Sequence, residues 1–375
     1  MLSEVPEGWR IVTVGDLCRP RQHPTIPKKS FTSEGFTVYG ANGPIGFYSD
    51  YTHSKETIAI TCRGATCGTV HLVPAESYIT GNAMALDDLE ESKVDVVFLF
   101  YVVVCFGVEK SITGSAQPQI TRASLVPLNI ALPPLPEQKR IAEILSSLDE
   151  SIQATQSVID QAERVKRGLM EDLLTGGLGS EAIARGEVPE GWKSVRQGDV
   201  SKFFNGRAYK LSEWEDSGTP VIRLQNLTGT GKNYYYSNLD LPEHQYCHKG
   251  DLLFMWSASF GPYLWWGGKA IYHYHIWKVT HDEGFLRRKY HYFLLEFFTE
   301  VWKSDANGMA MLHLTKKWME ELKISLPPLP EQKRIAEILS SVDEFIQSQK
   351  QIIDQYQVTK KGLMDDLLTG RVRTV

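Results

Sequence analysis

The side chains in this sequence best placed for chemistry are arginines and amides in glycine-rich segments. Arg63 follows the alternating run 57–61 and precedes Gly64, which predicts a turn that projects its guanidinium after a strand. Arginine can hold guanine by two hydrogen bonds, and Asn or Gln can pair with the edge of adenine. These positions are therefore candidate DNA contacts. In the first half of the chain we select Tyr39, Asn42, Arg63, Thr66, Gln117, Gln119 and Arg122.

The second half contains a comparable set of cationic and polar side chains. A single Lys or Arg is usually an ordinary solvated residue, so the prediction depends on the set rather than on one member. Aromatic runs such as 234–236 could stack on bases, although such runs more often fill a core. The candidates here are Arg207, Tyr209, Lys210, Arg223, Asn226, Lys269, His313, Lys316 and Lys317.

The sequence lacks the common motifs of catalysis and cofactor binding. It has no GxGxxG after a strand, no GxxxxGK[ST] loop, no HExxH and no GxSxG. His273-Tyr274-His275 would place two imidazoles on one face of a strand, where they could hold a metal, but a packed aromatic strand is the commoner meaning of such a run. We predict no catalytic residue, no metal and no cofactor bound by this chain.

Composition describes a two-domain protein of the cytoplasm. A length of 375 residues suits two domains with connecting elements. The net charge of −5 argues against a protein that coats DNA non-specifically, while it permits a local DNA-binding face. No apolar run approaches the ~20 residues that span a bilayer, and the N-terminus lacks the pattern of a secretion signal. Five cysteines without a CxxC pair fit a reducing compartment.

A long internal repeat must position these side chains. Residues 132–147 and 326–341 both read LPPLPEQKRIAEILSS, and both copies continue to a GLM(E/D)DLLTG segment. The shorter motif VPEGW occurs at 5–9 and again at 188–192. A repeat of this length predicts two structurally equivalent halves.

Each repeat is predicted to form a long helix that pairs with the other copy. Apolar residues recur at alternating steps of four and three over more than four heptads, which is the period of a coiled-coil seam. Lys166 and Lys360 fall at matching seam positions, where they weaken the seam but can fix its register. The predicted seam comprises Ile141, Leu145, Leu148, Ile152, Ile159, Leu169, Leu173, Ile335, Leu339, Val342, Ile346, Ile353, Tyr356, Leu363 and Leu367.

Prolines and glycines delimit the two helices. Pro133, Pro134 and Pro136 are tolerated only before or within the first turn, and Gly176 and Gly370 are plausible C-terminal caps. The matched interior glycines, Gly168 and Gly362, suggest a close helix approach or a bend.

The segments between the helices predict mixed globular domains. Strands are expected at 57–61 and 220–224, and helices at 94–106 and 287–302. We predict an α+β chain with two globular domains and two long helices packed as an antiparallel coiled coil with pseudo-twofold symmetry. The predicted boundaries are 1–133 for the first domain, 134–176 for its helix, 177–187 for a linker, 188–327 for the second domain, 328–370 for its helix and 371–375 for a tail.

This combination resembles the specificity subunit of type I restriction-modification systems. The resemblance rests on the two LPPLPEQKRIAEIL helices ending in GLMxDLLTG and on the VPEGW that begins each domain. Further likeness lies in the Tyr39-Gly40-Ala41-Asn42-Gly43 stretch, the turn at 63–68 and the Gln117-to-Thr121 run. The second domain departs from this pattern, since its corresponding run at 311–315 reads MLHLT and lacks the glutamine.

The resemblance implies a non-catalytic subunit. Each globular domain would be a target-recognition domain that reads one half of a bipartite site in double-stranded DNA, and the helices would set the spacing. Two methyltransferase (modification) subunits would dock on the chain, and two motor-nuclease (restriction) subunits would join for cleavage. S-adenosylmethionine, ATP and Mg²⁺ would be used by those partners.

Two other functions are open to the sequence. One is a coiled-coil assembly scaffold with two protein-binding domains and no DNA role, for which an absence of salt-dependent DNA binding would be diagnostic. The other is a fused methyltransferase, which the missing cofactor motifs oppose.

Overall fold

The computed structural model describes residues 5–106, 108–114, 117–257, 259–305 and 314–374. The chain divides into two compact units, one comprising Met1–Ser157 with Lys350–Val375 and the other Val158–Gln349. Each unit holds one globular domain and a segment of both long helices. No helix within the described ranges is long and apolar enough to cross a membrane.

The first domain is built on small β-sheets. A four-stranded antiparallel sheet has the order β2-β8-β5-β6, and a three-stranded sheet, β4-β3-β7, contains a parallel β3–β7 pair. β1 pairs with β11, and β9 with β10. The strand predicted at 57–61 is β5, and all five of its residues are buried. The strands are β1 (Arg10–Thr13), β2 (Arg19–Arg21), β3 (Phe36–Gly40), β4 (Gly43–Tyr48), β5 (Thr57–Thr61), β6 (Val70–Val73), β7 (Tyr78–Ile79), β8 (Ala83–Asp87), β9 (Ile112–Thr113), β10 (Gln119–Ile120) and β11 (Asn129–Leu132).

One apolar helix fills the core of this domain. The helices are α1 (Val14–Leu17), α2 (Val96–Phe106) and α3 (Arg122–Leu125), with 3-10 turns at Lys28–Ser30 and Glu109–Ser111. The buried helix predicted at 94–106 is α2, which packs against β5 and β6 and buries Phe98, Leu99, Tyr101, Val102 and Val103. The first long helix, α4 (Leu135–Thr175), and a short helix, α5 (Ser180–Ala184), follow.

The second domain contains two four-stranded sheets, with the orders β13-β20-β17-β18 and β15-β14-β19-β16. β12 pairs with β21 just before the second long helix, as β1 pairs with β11 before α4. The strands are β12 (Lys193–Arg196), β13 (Ser201–Asn205), β14 (Thr219–Ile222), β15 (Tyr235–Ser237), β16 (Tyr246–Cys247), β17 (Leu252–Ser257), β18 (Ser259–Leu264), β19 (Ala270–Tyr272), β20 (Ile276–His281) and β21 (Lys323–Leu326).

The helices of this half are α6 (Gln197–Val200), α7 (Leu224–Leu227), α8 (Arg288–Asp305), α9 (Lys316–Glu321) and the second long helix, α10 (Leu329–Leu368), with 3-10 turns at Leu211–Glu213 and Glu243–Gln245. The helix predicted at 287–302 is α8.

Two local predictions in the second domain are wrong. The strand predicted at 220–224 ends at Ile222, because the Asn226 amide oxygen accepts the Arg223 N–H and starts α7. Residues 273–275 form no strand but the turn between β19 and β20, with the Ile276 N–H donating to the His273 carbonyl at 2.9 Å. This turn carries the chain from one four-stranded sheet to the other.

Within each unit the two helix segments pack antiparallel on the globular core. In the first unit Ile141 and Leu145 of α4 share a cluster with Leu363 and Leu367 of α10, and in the second Leu174 of α4 shares one with Leu339 of α10. All fifteen predicted seam residues are buried or half-buried.

The glycines of the long helices have two different roles. Gly176 and Gly370 have φ values of +60° and +72°, so they are the C-terminal caps that the sequence predicts. Of the two alternatives predicted for Gly168 and Gly362, the close helix approach is wrong, since a Cβ at either position would meet nothing within 4 Å. The bend stays a prediction.

Candidate nucleic-acid interface

Most of the candidate contacts of the first domain gather beyond the end of β5. Arg63 pairs with Gln119 in an isolated antiparallel bridge, which brings the 63–68 turn beside β10. The Thr66 hydroxyl donates to the Asn42 amide oxygen at 2.6 Å, so the β3–β4 turn joins the same group. Four side chains from three distant segments therefore form one exposed polar surface, which we call the Arg63 surface (Asn42, Arg63, Thr66 and Gln119).

The turn after β5 holds Arg63 outward. Gly64 has a φ of +89°, a left-handed conformation that favours glycine, and its carbonyl accepts the Cys67 N–H at 3.0 Å. Below the turn, the Cys62 carbonyl accepts the Ile120 N–H at 3.0 Å, which fixes the backbone. Arg63 is exposed and forms no ion pair with any residue that the structure describes. Its guanidinium is free to meet a ligand.

The remaining candidates of this domain lie in different environments. Gln117 is exposed near the Arg63 surface, and Arg122 is exposed at the start of α3, which Thr121 caps. Tyr39 packs against a small buried cluster that contains Ile79, and burial raises the pKa of its hydroxyl. Tyr39 thus has a packing role that the sequence did not reveal.

In the second domain, two arginines enclose a stack of three aromatic rings. Arg207 lies 4.7 Å from the centroid of the Tyr209 ring, and Tyr209 stacks on Trp214 at 4.7 Å. Trp214 lies 4.6 Å from Tyr235, whose other neighbour is the Arg223 guanidinium at 4.1 Å. We call these five residues the aromatic stack. Arg207, Tyr209 and Arg223 are candidates that the sequence predicts, and Tyr235 belongs to the aromatic run 234–236, which could stack on bases or fill a core. Trp214 was not among the predicted residues.

The charged groups and rings of the stack hold one another in place. Glu213 pairs with Arg207 and, through that hydrogen bond, raises the pKa of the guanidinium. Arg207 Nη1 and Arg223 Nε are buried and find no acceptor among the described residues. Tyr235 is 41% exposed, so one ring of the stack is open to solvent. The two arginines thus pack on ring faces within the stack, and Tyr235 is the ring through which the stack reaches solvent.

The other predicted contacts of the second domain are more scattered. Asn226 uses its amide within its own loop, accepting from Arg223 N and donating to the carbonyls of Gly231 and Asn233. The Lys269 ammonium lies 3.8 Å from the centroid of the Tyr246 ring.

The cations of α9 are engaged with carboxylates. Lys316 and Lys317 are exposed and form i,i+4 pairs with Glu320 and Glu321 at 3.6 and 3.8 Å. Lys210 is exposed. His313 lies outside the described residues.

The repeated motifs fasten each domain to its helices, a role that was not predicted from the sequence. The Trp9 indole donates to Glu137 at 3.1 Å in the first unit, and the Trp192 indole donates to Glu331 at 3.3 Å in the second. Thus the tryptophan of each VPEGW binds the glutamate of one PEQ. Burial alone would raise the pKa of Glu137, but hydrogen bonds from Arg373 and Trp9 hold it below its ordinary value.

The glutamine of each PEQ binds the segment before the domain helix. Gln138 Nε2 donates to the carbonyls of Lys93 and Pro133, and its Oε1 accepts the Asp95 N–H. Gln332 makes the equivalent three bonds, to the Phe285 and Pro327 carbonyls and from the Arg287 N–H. These buried contacts give a physical reason for the identity of the two motifs.

The seam lysines are paired across the helices. Lys360 binds Asp149 at 2.5 Å in the first unit, and Lys166 binds Asp343 at 2.7 Å in the second. Lys166 also binds Glu296 of α8 at 2.9 Å. Burial would lower the pKa of Lys166, but the two carboxylates offset it and leave the pKa above its ordinary value.

One group of possible metal ligands converges in the described part of the chain: His23, His53 and Asp87. Asp87 ends β8, while Ala83 at the start of β8 pairs with Thr61 at the end of β5. The group therefore lies at the opposite end of the sheet from the Arg63 surface. No sequence spacing indicated it, since its members come from two loops and a strand end.

Comparison with known proteins identifies the family. A family model described as the type I restriction modification DNA specificity domain matches twice, at residues 6–164 and 189–357. A type I restriction enzyme MjaVIII specificity subunit of Methanocaldococcus jannaschii is 26% identical over 98% of this chain and 94% of its own length. A putative MjaX specificity subunit of the same organism is 30% identical over 76% of this chain and 69% of its own length.

Solved structures show the same fold. The S subunit of a type I restriction-modification system from M. genitalium superposes with a TM-score of 0.66 at 17% identity, covering 97% of this chain and 96% of that one. A chain from a study of type I system assembly gives a TM-score of 0.58 at 18% identity, covering 98% and 100%. The chain belongs to the family of type I restriction-modification specificity subunits.

Proposed function

We propose that this chain is the non-catalytic subunit that recognises a bipartite DNA sequence, one half-site by each globular domain. The observation that carries the proposal is the double match to the DNA specificity domain, once over each half of the chain. The two domains offer different chemistry, with exposed Arg and amide side chains in the first and the aromatic stack in the second. Different surfaces fit two different half-sites. The scaffold alternative has no support among the relatives.

The test of this function is a map of methylated adenines. The chain, assembled with its methyltransferase partner, should direct methylation to a sequence of two short half-sites separated by a spacer of unspecified bases. Sequencing of DNA exposed to the complex would give both half-sites and the spacer at once. A single contiguous site would contradict the proposal.

Within the first domain we propose Arg63 as a base-reading residue. Arg63→Ala should relax specificity in one half-site by about 1–3 kcal/mol, because a bidentate contact with guanine is lost. Binding of the assembled complex to a panel of single-base variants would measure it. Arg10→Ala, which removes another exposed arginine of the same domain, serves as control. An equal loss on all sequences with a weaker salt dependence would instead indicate a phosphate contact.

The partners follow from the same assignment. We propose that two methyltransferase subunits dock on the equivalent helix repeats and that two motor-nuclease subunits join them for cleavage. Exposed apolar side chains on the long helices support a docking role, among them Val158, Phe345 and Val358, the last 73% exposed. S-adenosylmethionine, ATP and Mg²⁺ would be bound by these partners. Five free cysteines support a reducing, cytoplasmic location.

We also propose that the long helices set the half-site spacing. They contain 41 and 40 residues, so each extends for about 60 Å at 1.5 Å per residue. Inserting one heptad at matching positions in both helices keeps the seam in phase and adds about 10 Å. The preferred spacer should then lengthen by about three base pairs, at ~3.4 Å each. An unchanged spacer in the methylation map would exclude this role.

A further inference from the structure

Two histidines and an aspartate meet at the end of the first-domain sheet away from Arg63. His23 Nε2 lies 3.0 Å from Asp87 Oδ2, and His53 Nε2 lies 2.9 Å from Asp87 Oδ1. The three ligand atoms all lie within 4.8 Å of one another. Asp87 is 64 residues from His23 and 34 residues from His53 along the chain. The fold has thus brought three metal-ligating groups together from distant segments.

The surroundings of His53 are compatible with a ligand at its Nε2. Its Nδ1 lies 2.7 Å from the Thr52 hydroxyl oxygen, which accepts the Ile79 N–H and can donate to the Ser77 carbonyl. When the hydroxyl donates to Nδ1, Nε2 carries the imidazole proton and donates to Asp87 at 2.9 Å. When the hydroxyl instead donates to the Ser77 carbonyl at 3.4 Å, Nδ1 carries the proton. In that second arrangement the lone pair of Nε2 faces the carboxylate oxygen, and a cation between the two relieves their repulsion. Metal-bound histidines typically donate their other N–H to such an outer partner.

Burial and charge fit the same conclusion. The side chains of His53 and Asp87 are 10% and 9% exposed, and that of His23 is 21% exposed, so solvent reaches the group mainly beside His23. The adjacent carboxylate of Asp88 is bound by Arg21 at 2.8 Å. Asp87 is therefore the carboxylate left to balance a cation.

We propose that His23, His53 and Asp87 bind one divalent transition-metal ion of the zinc type. Two imidazole nitrogens and one carboxylate oxygen are ligands that Zn²⁺ accepts, with water in the fourth position, whereas Mg²⁺ and Ca²⁺ prefer oxygen ligands alone. The ion joins the segment after β2, the segment before β5 and the end of β8. The site lies about four residues of strand, or ~13 Å, from the Arg63 end of the sheet. Its role is to hold these segments together rather than to contact DNA.

The test is metal binding by the full-length chain after removal of metals with a chelator. Titration with Co²⁺ should produce a visible absorption spectrum that saturates at one equivalent, and Zn²⁺ should displace it and raise the melting temperature. His53→Gln and Asp87→Asn should weaken metal binding by about 100-fold or more. Mutating a residue that only hydrogen-bonds a metal ligand already costs about 10- to 100-fold in affinity, and these two residues would be ligands themselves. His248→Gln is the matched control, because exposed His248 pairs with Glu243 at 2.9 Å and no third metal-ligating group joins them among the residues that the structure describes. Its binding should be unchanged.

A variant at a more exposed position keeps the proposal testable if His53→Gln and Asp87→Asn fail to fold. His23 is the most exposed of the three ligands, so His23→Gln should retain the fold, as judged by melting in chelator, and still lose metal affinity. Failure of the stripped wild-type chain to bind one equivalent of Co²⁺ or Zn²⁺ would overturn the proposal. Equal metal affinity in wild type and His23→Gln would overturn it as well. In that case Asp87 of the wild-type chain only accepts hydrogen bonds from the two histidines.

Discussion

Replacing Gln138 by leucine is expected to destabilise the first unit by roughly 3 kcal/mol or more. Gln138 is fully buried, and its amide makes hydrogen bonds of 2.8–2.9 Å with three backbone groups at the start of α4 and before α2. Leucine keeps the approximate size but leaves these three groups without partners. Each buried group left unsatisfied costs about 1–3 kcal/mol.

The second copy of the motif provides a parallel experiment. Gln332→Leu should destabilise the second unit by a similar amount, because Gln332 makes the same three kinds of hydrogen bond. Urea denaturation would measure the free energy of unfolding. Hydrogen exchange would locate the effect, with faster exchange before α2 in Gln138→Leu and before α8 in Gln332→Leu.

A Gln-to-Leu substitution at an exposed position of the same helix is the control for a change in helix propensity. Gln153 lies in α4 with its side chain in solvent, so Gln153→Leu should change the free energy of unfolding by no more than about 0.5 kcal/mol. If Gln138→Leu were equally mild, the buried glutamine could not be what fastens the domain to the helix.

The long helices could be predicted because their signals are local. Prolines at the start, a regular heptad and a terminal glycine all act within a few residues, and Gly176 and Gly370 adopt the predicted left-handed cap. The roles of Glu137 and Gln138 could not be predicted in this way. Trp9 is 128 residues from Glu137, and Lys93 is 45 residues from Gln138, so only the folded domain shows why PEQ is repeated.

In the candidate interface too, features set by neighbouring residues could be predicted, whereas contacts between distant residues could not. The Arg63 turn was predictable from Gly64 and the preceding strand. The aromatic stack was not, because Trp214 and Tyr235 join it only through the pairing of distant strands and loops. Asn226 shows the converse error, since an amide that looks suited to base contact in the sequence is occupied by its own loop.

Replacing Lys166 by methionine is expected to destabilise the second unit by about 2–4 kcal/mol. Methionine keeps the apolar stem but leaves the carboxylates of Glu296 and Asp343 without their shared cation. Removing one partner of a buried ion pair costs about 3–5 kcal/mol, and we reduce this range because Glu296 and Asp343 are 28% and 36% exposed. Urea denaturation would measure the change.

Lys360→Met is the matched comparison in the first unit. It leaves one carboxylate, Asp149, which is 41% exposed and keeps the hydrogen bond from the Tyr101 hydroxyl at 2.7 Å. The expected cost is only about 1 kcal/mol. An equal loss of unfolding free energy in the two variants would contradict the argument that Glu296 makes removal of Lys166 more destabilising than removal of Lys360.

The pH dependence gives Lys166→Met a second signature. Burial already raises the pKa of Glu296 in the folded chain, and Lys166 opposes that rise. Without the lysine the folded pKa should rise further above the unfolded value, so the folded variant binds a proton more readily than the unfolded chain does. Its stability should therefore increase as pH falls from 8 to 5, and the deficit relative to wild type should shrink. A deficit independent of pH over this range would show that lost packing, rather than an unpaired Glu296, is the cause.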